Sequence, residues 1–128
     1  MNVISLGLDL IECARLAKLL ERHETRFMER VLTSVEREHA GRFRNPVPHL
    51  AGRFAAKEAV LKVLGTGWRG PIAWTDIEIT NDALGKPHVR LSGPCAERAA
   101  GLGIEDVLLS ITHTAAYAAA TAVGISRS

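Results

Sequence analysis

Aromatic residues are scarce in this sequence: three Phe, two Trp and one Tyr make up 5% of 128 residues. Packing must therefore be built largely from small and aliphatic side chains, and no row of aromatic side chains is available as a platform for nucleic-acid bases. Cysteine is nearly absent too. Cys13 and Cys95 lie far apart, without metal or redox spacing, and read as buried free thiols in helical patterns. No apolar run approaches the length of a membrane span. The short apolar start has no basic leader of the kind that opens a signal peptide, so the expected location is cytoplasmic, away from the membrane. There is no internal repeat, low-complexity tract or linker, so residues 1–128 read as one domain. Net charge is only +2, too little by itself to imply a nucleic-acid partner.

What charge there is has a marked distribution. Arg15, Lys18, Arg22, Arg26, Arg30, Arg37, Arg42, Arg44 and Arg53 all fall in the first half. A basic surface there suits an acidic partner, although a solvated helix face is the plainer reading of Arg15, Arg22, Arg26 and Arg30.

Hydrophobic periodicity gives the elements. Val3–Leu10 alternates as a strand, with Ser5, Gly7 and Asp9 on one face. Glu12–His23 and Phe27–Leu32 have helical spacing, and Thr33-Ser34-Val35-Glu36 is a capping box opening another helix. Asn45-Pro46-Val47-Pro48 reads as a helix break, and Leu50–Leu64 as the principal helix, ended by Gly65. Trp74–Thr80 and His88–Leu91 read as strands joined by a turn at Asn81–Gly85. Pro94 suits the first turn of a helix over Cys95–Leu102, and Val107–Thr112 is a strand. Ala115–Ile125 is rich in alanine, yet Tyr117, Thr121, Val123 and Ile125 sit at even spacing; it is assigned as a strand pairing back onto Val107–Thr112. The expected class is α+β, a mainly antiparallel sheet packed with helices, one long central helix carrying Glu58 and Lys62.

Two carboxylates about fifty residues apart stand among apolar neighbours: Asp9 and Glu58. A charge so placed is costly unless paired, and a hard cation shared by two carboxylates commonly also holds a phosphate. Each residue has a plainer reading. Asp9 suits the N-cap of the helix that follows, and Glu58 with Lys62, about 40° apart on the helix, suits a surface ion pair. Alanines at 55, 56 and 59 keep the helix slim enough for backbone or ligand to approach, and Gly7 points to a close approach beside Asp9. Arg53 and Lys57 form a second polar strip. His113, with Ser110, Thr112 and Thr114 around it, is either a hydrogen-bonded structural histidine or part of an anion pocket. Gly65-Thr66-Gly67 lacks the lysine and spacing of a P-loop. Gly85-Lys86-Pro87 reads as a turn, and Trp68 and Trp74 as packing.

Three segments together resemble the holo-acyl-carrier-protein synthase family, the small bacterial 4′-phosphopantetheinyl transferases. They are Gly7-Leu8-Asp9-Leu10-Ile11-Glu12-Cys13-Ala14-Arg15, then Leu50 to Lys62 with its Phe54-Ala55-Ala56-Lys57-Glu58-Ala59 core running on to Gly67, and Leu109 to Thr114 followed by Tyr117-Ala118-Ala119-Ala120. Asp76 to Ile79 and Gly85-Lys86-Pro87 fit in the same order. The resemblance implies transfer of the phosphopantetheine arm of coenzyme A to a serine of an apo acyl carrier protein, in support of fatty acid biosynthesis, with magnesium as the metal. It implies Asp9 and Glu58 as metal ligands and, with Lys62, as catalytic residues, Lys62 lying near the diphosphate. It further implies Arg53, His113 and Thr114 at coenzyme A phosphates, Gly65 and the Gly85-Lys86-Pro87 turn in the adenine-nucleotide pocket, and Arg15, Arg22 and Arg26 against the acidic carrier. Members are homotrimers with active sites between subunits. A non-catalytic module that binds coenzyme A or the carrier protein is the alternative.

Overall fold

A computed structural model describes residues 1–66 and 71–127. Gly67 and Trp68 therefore fall outside the described residues, and with them the expected packing role of Trp68. The chain begins with β1 (Asn2–Glu12) and passes into α1 (Cys13–Val31), α2 (Ser34–Ala40) and α3 (Val47–Leu64). A 3₁₀ turn at Trp74–Asp76 leads to the hairpin β2 (Ile77–Asn81) and β3 (Pro87–Leu91). α4 (Gly93–Gly101), β4 (Asp106–His113) and β5 (Tyr117–Ser126) complete it. The main sheet has the order β1-β5-β4, antiparallel throughout, and β2-β3 forms a separate two-stranded sheet. The ambiguous alanine-rich segment is thus a strand, and it is the central one.

α3 lies across one face of the main sheet because that face is small. Ala118, Ala120, Ala122 and Gly124 of β5 and Gly7 of β1 are all buried there, against Ala55, Ala56, Ala59, Val60 and Val63 of the helix. A Cβ built on Gly7 would stand 2.1 Å from the Ala59 carbonyl oxygen and 2.8 Å from Lys62 Cβ, and one on Gly124 would stand 2.8 Å from Val63 Cγ1. Absence of side chains at these points lets helix and sheet backbones approach closely. The large residues of β1 point the other way: Leu6, Leu8 and Leu10 are 66%, 60% and 65% exposed. Across β5, Leu108 of β4 joins them on the same outer face.

Several boundaries differ from the sequence expectation. Trp74–Asp76 is a 3₁₀ turn rather than the start of a strand: Asp76 Oδ2 accepts the Ala73 N–H at 3.1 Å, and the Asp76 N–H donates to the Ala73 carbonyl at 3.0 Å. This local capture curls the chain before Ile77. α3 begins at Val47, three residues early, since Pro48 falls in its first turn, where a missing N–H costs nothing. The two expected early helices are one element with a kink at His23 (φ −141°, ψ 38°). The capping box is present: Glu36 N–H donates to Thr33 Oγ1 and Thr33 N–H to Glu36 Oε1. Gly65 ends α3 in the left-handed region at φ +73°.

Candidate active site

The close approach at Gly7 determines where Asp9 lies. Two residues on, along the same face of β1, Asp9 comes out beside α3, opposite Ala120 of β5. It is not an N-cap; Glu12 holds that position. Asp9 and Glu58 line one groove of 540 Å³ together with Arg15, Leu16, Leu19 and Phe54. Lys62, one turn beyond Glu58, donates to the Leu8 carbonyl at 2.7 Å and reaches Asp9 Oδ1 at 3.4 Å. Its side chain stays 55% exposed, so only one edge of the ammonium is engaged by β1. Two carboxylates thus line one groove, with a lysine against one of them. Among the described residues no cluster of three or more His, Cys, Asp or Glu makes a protein-only cage. That donor set fits magnesium, which takes one or two carboxylates and completes its octahedron with water and phosphate, rather than a structural zinc.

A second cleft, of 490 Å³, opens between α2, α3, the β2–β3 turn and the end of β4. It collects Arg53, Gly85, Pro87 and His113 from the sequence expectation, and adds His39, Arg42, Phe43, His49 and Asn81. Rings stack along its wall. Phe43 and His49 lie parallel with centroids 3.5 Å apart, while His39 meets Phe43, and His113 meets His49, edge-on at 5.2 Å. Gly52 lets β4 approach here, since a Cβ at that position would stand 2.9 Å from Ile111 Cγ2.

Most other expected site residues, Arg15 excepted, lie apart from both clefts' walls. Lys86 is exposed, with its N–H tied to Asp82 Oδ1 at 3.0 Å. Thr114 Oγ1 accepts the N–H groups of Ala116 and Tyr117 and so organises the β4–β5 turn. Ser110 and Thr112 do not join His113: successive strand residues face opposite sides, and both are exposed on the outer face. Gly65 caps α3 away from either cleft. Arg15, Arg22 and Arg26 are exposed along α1, Arg15 at the carboxylate groove and the other two on either side of the kink.

Burial pushes His39 and His49 below 6.5, helped by the nearby positive charges of Arg53 and Arg42 for His39, and His113 and Arg53 for His49. The unfolded chain then binds more protons than the folded one below about pH 6.5, so stability is fully present above that value and falls as pH drops through it. The thermal midpoint at pH 5.5 is expected below that at pH 7.5, and His39→Gln with His49→Gln is expected to flatten this slope. Calorimetry at the two pH values measures it.

The polar strip of Arg53 and Lys57 is buried, not solvated, and this the sequence reading missed. Lys57 Nζ donates to the Val31 carbonyl (2.6 Å), Glu36 Oε1 (2.7 Å) and the Trp74 carbonyl (3.1 Å), with both charged side chains fully enclosed. A signal existed for one partner only: Lys57 lies in an alanine-rich helix, at Ala55-Ala56-Lys57-Glu58-Ala59, whereas Glu36 lies in the polar run Ser34-Val35-Glu36-Arg37-Glu38-His39 and shows only its cap.

Comparison with known proteins gives a consistent pattern. The profile described as the 4′-phosphopantetheinyl transferase superfamily matches residues 5–122. A holo-[acyl-carrier-protein] synthase of Caldanaerobacter subterraneus subsp. tengcongensis is 48% identical over 122 residues, 95% of this chain and 94% of that protein. The crystal structure of holo-[acyl-carrier-protein] synthase from Neisseria meningitidis superposes with a TM-score of 0.87 at 34% identity, covering 97% of this chain and 99% of that one. That of the Bacillus anthracis synthase in complex with CoA (3′,5′-ADP) gives 0.81 at 37% identity, covering 97% of each.

Proposed function

We propose, because the chain belongs to the 4′-phosphopantetheinyl transferase superfamily, that it transfers the phosphopantetheine arm of coenzyme A to a serine of an apo acyl carrier protein. The convergence of Asp9 and Glu58 on one groove, with Lys62 against Asp9, carries this reading. The serine Oγ attacks the β-phosphorus, the bond from that phosphorus to the bridging oxygen breaks, and adenosine 3′,5′-bisphosphate leaves. The serine proton passes to Glu58 or to solvent. Asp9 and Glu58 are the residues that would hold magnesium, which when bound neutralises charge on the diphosphate. Lys62, with its exposed ammonium, adds positive charge beside Asp9.

The histidine-lined cleft suits the nucleotide end of coenzyme A. Arg42 and His113 bring positive charge or donors, and the Gly85–Pro87 turn brings backbone. Lys86 and Thr114 are chain neighbours of the cleft residues Gly85, Pro87 and His113, while Gly65 ends α3 outside the cleft. The exposed leucines of β1 and Leu108 form an apolar sheet face of a kind that monomers rarely leave open. They suit the contacts of a homotrimer, with active sites between subunits. The reading is of a cytoplasmic enzyme of one domain serving fatty acid biosynthesis; no helix among the described residues is long and apolar enough to cross a membrane. No nucleic-acid partner is required.

The deciding experiment incubates the pure protein with coenzyme A, magnesium and apo carrier protein. The expected result is a mass gain of one phosphopantetheine on the carrier; carrier binding without mass gain would instead identify a non-catalytic binding module. Arg15, Arg22 and Arg26 are the surface for the acidic carrier. Reversing Arg15 and Arg22 to glutamate is expected to slow association about tenfold or more at low salt and much less at high salt. Stopped-flow binding at several ionic strengths tests this, and an unchanged salt dependence removes both residues from the interface.

A further inference from the structure

The β2–β3 turn forms one wall of the nucleotide cleft, yet within its sheet it is held from one side only, since β2 pairs with β3 alone. Side chains close the other edge of β2. Glu36 Oε2 accepts the Ile79 N–H at 3.0 Å, and Arg53 Nη1 donates to the Ile79 carbonyl. Both backbone polar groups of one edge residue are therefore taken by buried charged side chains. The chain of contacts then continues outward. Arg53 Nη2 donates to Asn81 Oδ1 at 2.9 Å, and Asn81 Nδ2 donates to the Gly85 carbonyl at 3.0 Å. Gly85 stands at φ +87°, the bend of the turn, and its N–H donates to the Asp82 carbonyl at 2.9 Å. Arg53 itself is 5% exposed. Both terminal nitrogens of its fork point at the hairpin, which leaves little of it for a ligand.

We propose that Arg53 is a positioning residue: through Asn81 it braces the Gly85 turn as a wall of the cleft, and so governs coenzyme A affinity without itself being a principal phosphate contact. The proposal rests on the cleft binding coenzyme A, as argued above. It turns on the planar fork rather than on charge. Lysine keeps the charge but cannot hold the Ile79 carbonyl and Asn81 Oδ1 at once.

The test is steady-state kinetics of Arg53→Lys, Asn81→Ala and the double variant, varying coenzyme A and carrier separately. Each single change is expected to raise KM for coenzyme A about tenfold, with kcat within about threefold and KM for the carrier unmoved. The double variant is expected to be no worse than the poorer single one, because both cut the same chain of contacts. Additive losses, or an Asn81→Ala variant with unchanged KM for coenzyme A, would overturn the brace in favour of direct phosphate contact. Amide exchange of Gly85 and Lys86 in the ligand-free protein gives a readout independent of catalysis. Faster exchange in both variants is expected, and unchanged exchange overturns the brace. If the wild-type protein neither transfers phosphopantetheine nor binds coenzyme A, the coenzyme A assignment fails, while amide exchange still decides whether the brace exists.

Discussion

Glu58→Ala is expected to lower phosphopantetheine transfer at least about a thousandfold while the protein stays folded. Glu58 is half-buried on α3, but its carboxylate faces the groove shared with Asp9 rather than the interior. Removing it takes one of two negative charges from a single rim, so like-charge repulsion falls and the fold is not called on to bury a new polar group. The cost lies in the ligand set. Asp9 would be the one carboxylate left in the groove to hold magnesium, and Lys62 already stands 3.4 Å from its Oδ1. Carrier mass spectrometry measures transfer, magnesium titration measures affinity, and circular dichroism checks the fold. Asp9→Asn is expected to fall by a similar factor, and the double variant little further, since both act through one ion. Transfer by Glu58→Ala within tenfold of wild type would remove the metal assignment.

The parts of this architecture that could be read from the sequence are those in which one residue pattern has one physical cause. The Thr33–Glu36 capping box, the Gly65 cap, the slim alanine face of α3 and the close approach at Gly7 each state a local requirement, and each is present. Relations between distant segments were harder. Alternation in Val3–Leu10 indicates two faces but not which one meets the helix; the small face does, because the backbones of β1 and α3 come into contact there. β5 could be assigned as a strand from its even spacing, yet its place between β1 and β4 depends on pairings that no local pattern encodes. Within the candidate site, Asp9, Glu58 and Lys62 were legible because each charge is anomalous among its neighbours. The Phe43–His49 stack and the Asn81 link were not, since each is an ordinary surface residue until the fold brings its partner near. Arg53 and Lys57 were assigned to a polar strip because helical spacing shows that residues share a face, not whether that face meets water.

That buried strip carries the largest expected effect on stability. Lys57→Met is expected to destabilise the fold by about 3–5 kcal/mol, the usual consequence of stranding one partner of an enclosed ion pair. All three ammonium protons of Lys57 have acceptors, drawn from the end of α1, from α2 and from the 3₁₀ turn before β2. Methionine fills nearly the same volume, so lost packing is minor. What remains is a Glu36 carboxylate that keeps the N–H groups of Thr33 and Ile79 but loses its cation, beside the buried Val31 carbonyl and the partly buried Trp74 carbonyl, which each lose a donor. Urea unfolding is expected to show a lower midpoint with an unchanged slope. Adding Glu36→Gln should recover only part of the loss: an amide restores neutrality and still accepts the cap hydrogen bond from Thr33, but its NH2 group then faces the buried Ile79 N–H, a donor against a donor. A double variant as unstable as Lys57→Met would move the cause from the stranded charge to the backbone groups left unpaired. A single variant costing less than about 1 kcal/mol would mean that water reaches the site and that α1, α2 and the β2 edge are held together by their apolar contacts alone.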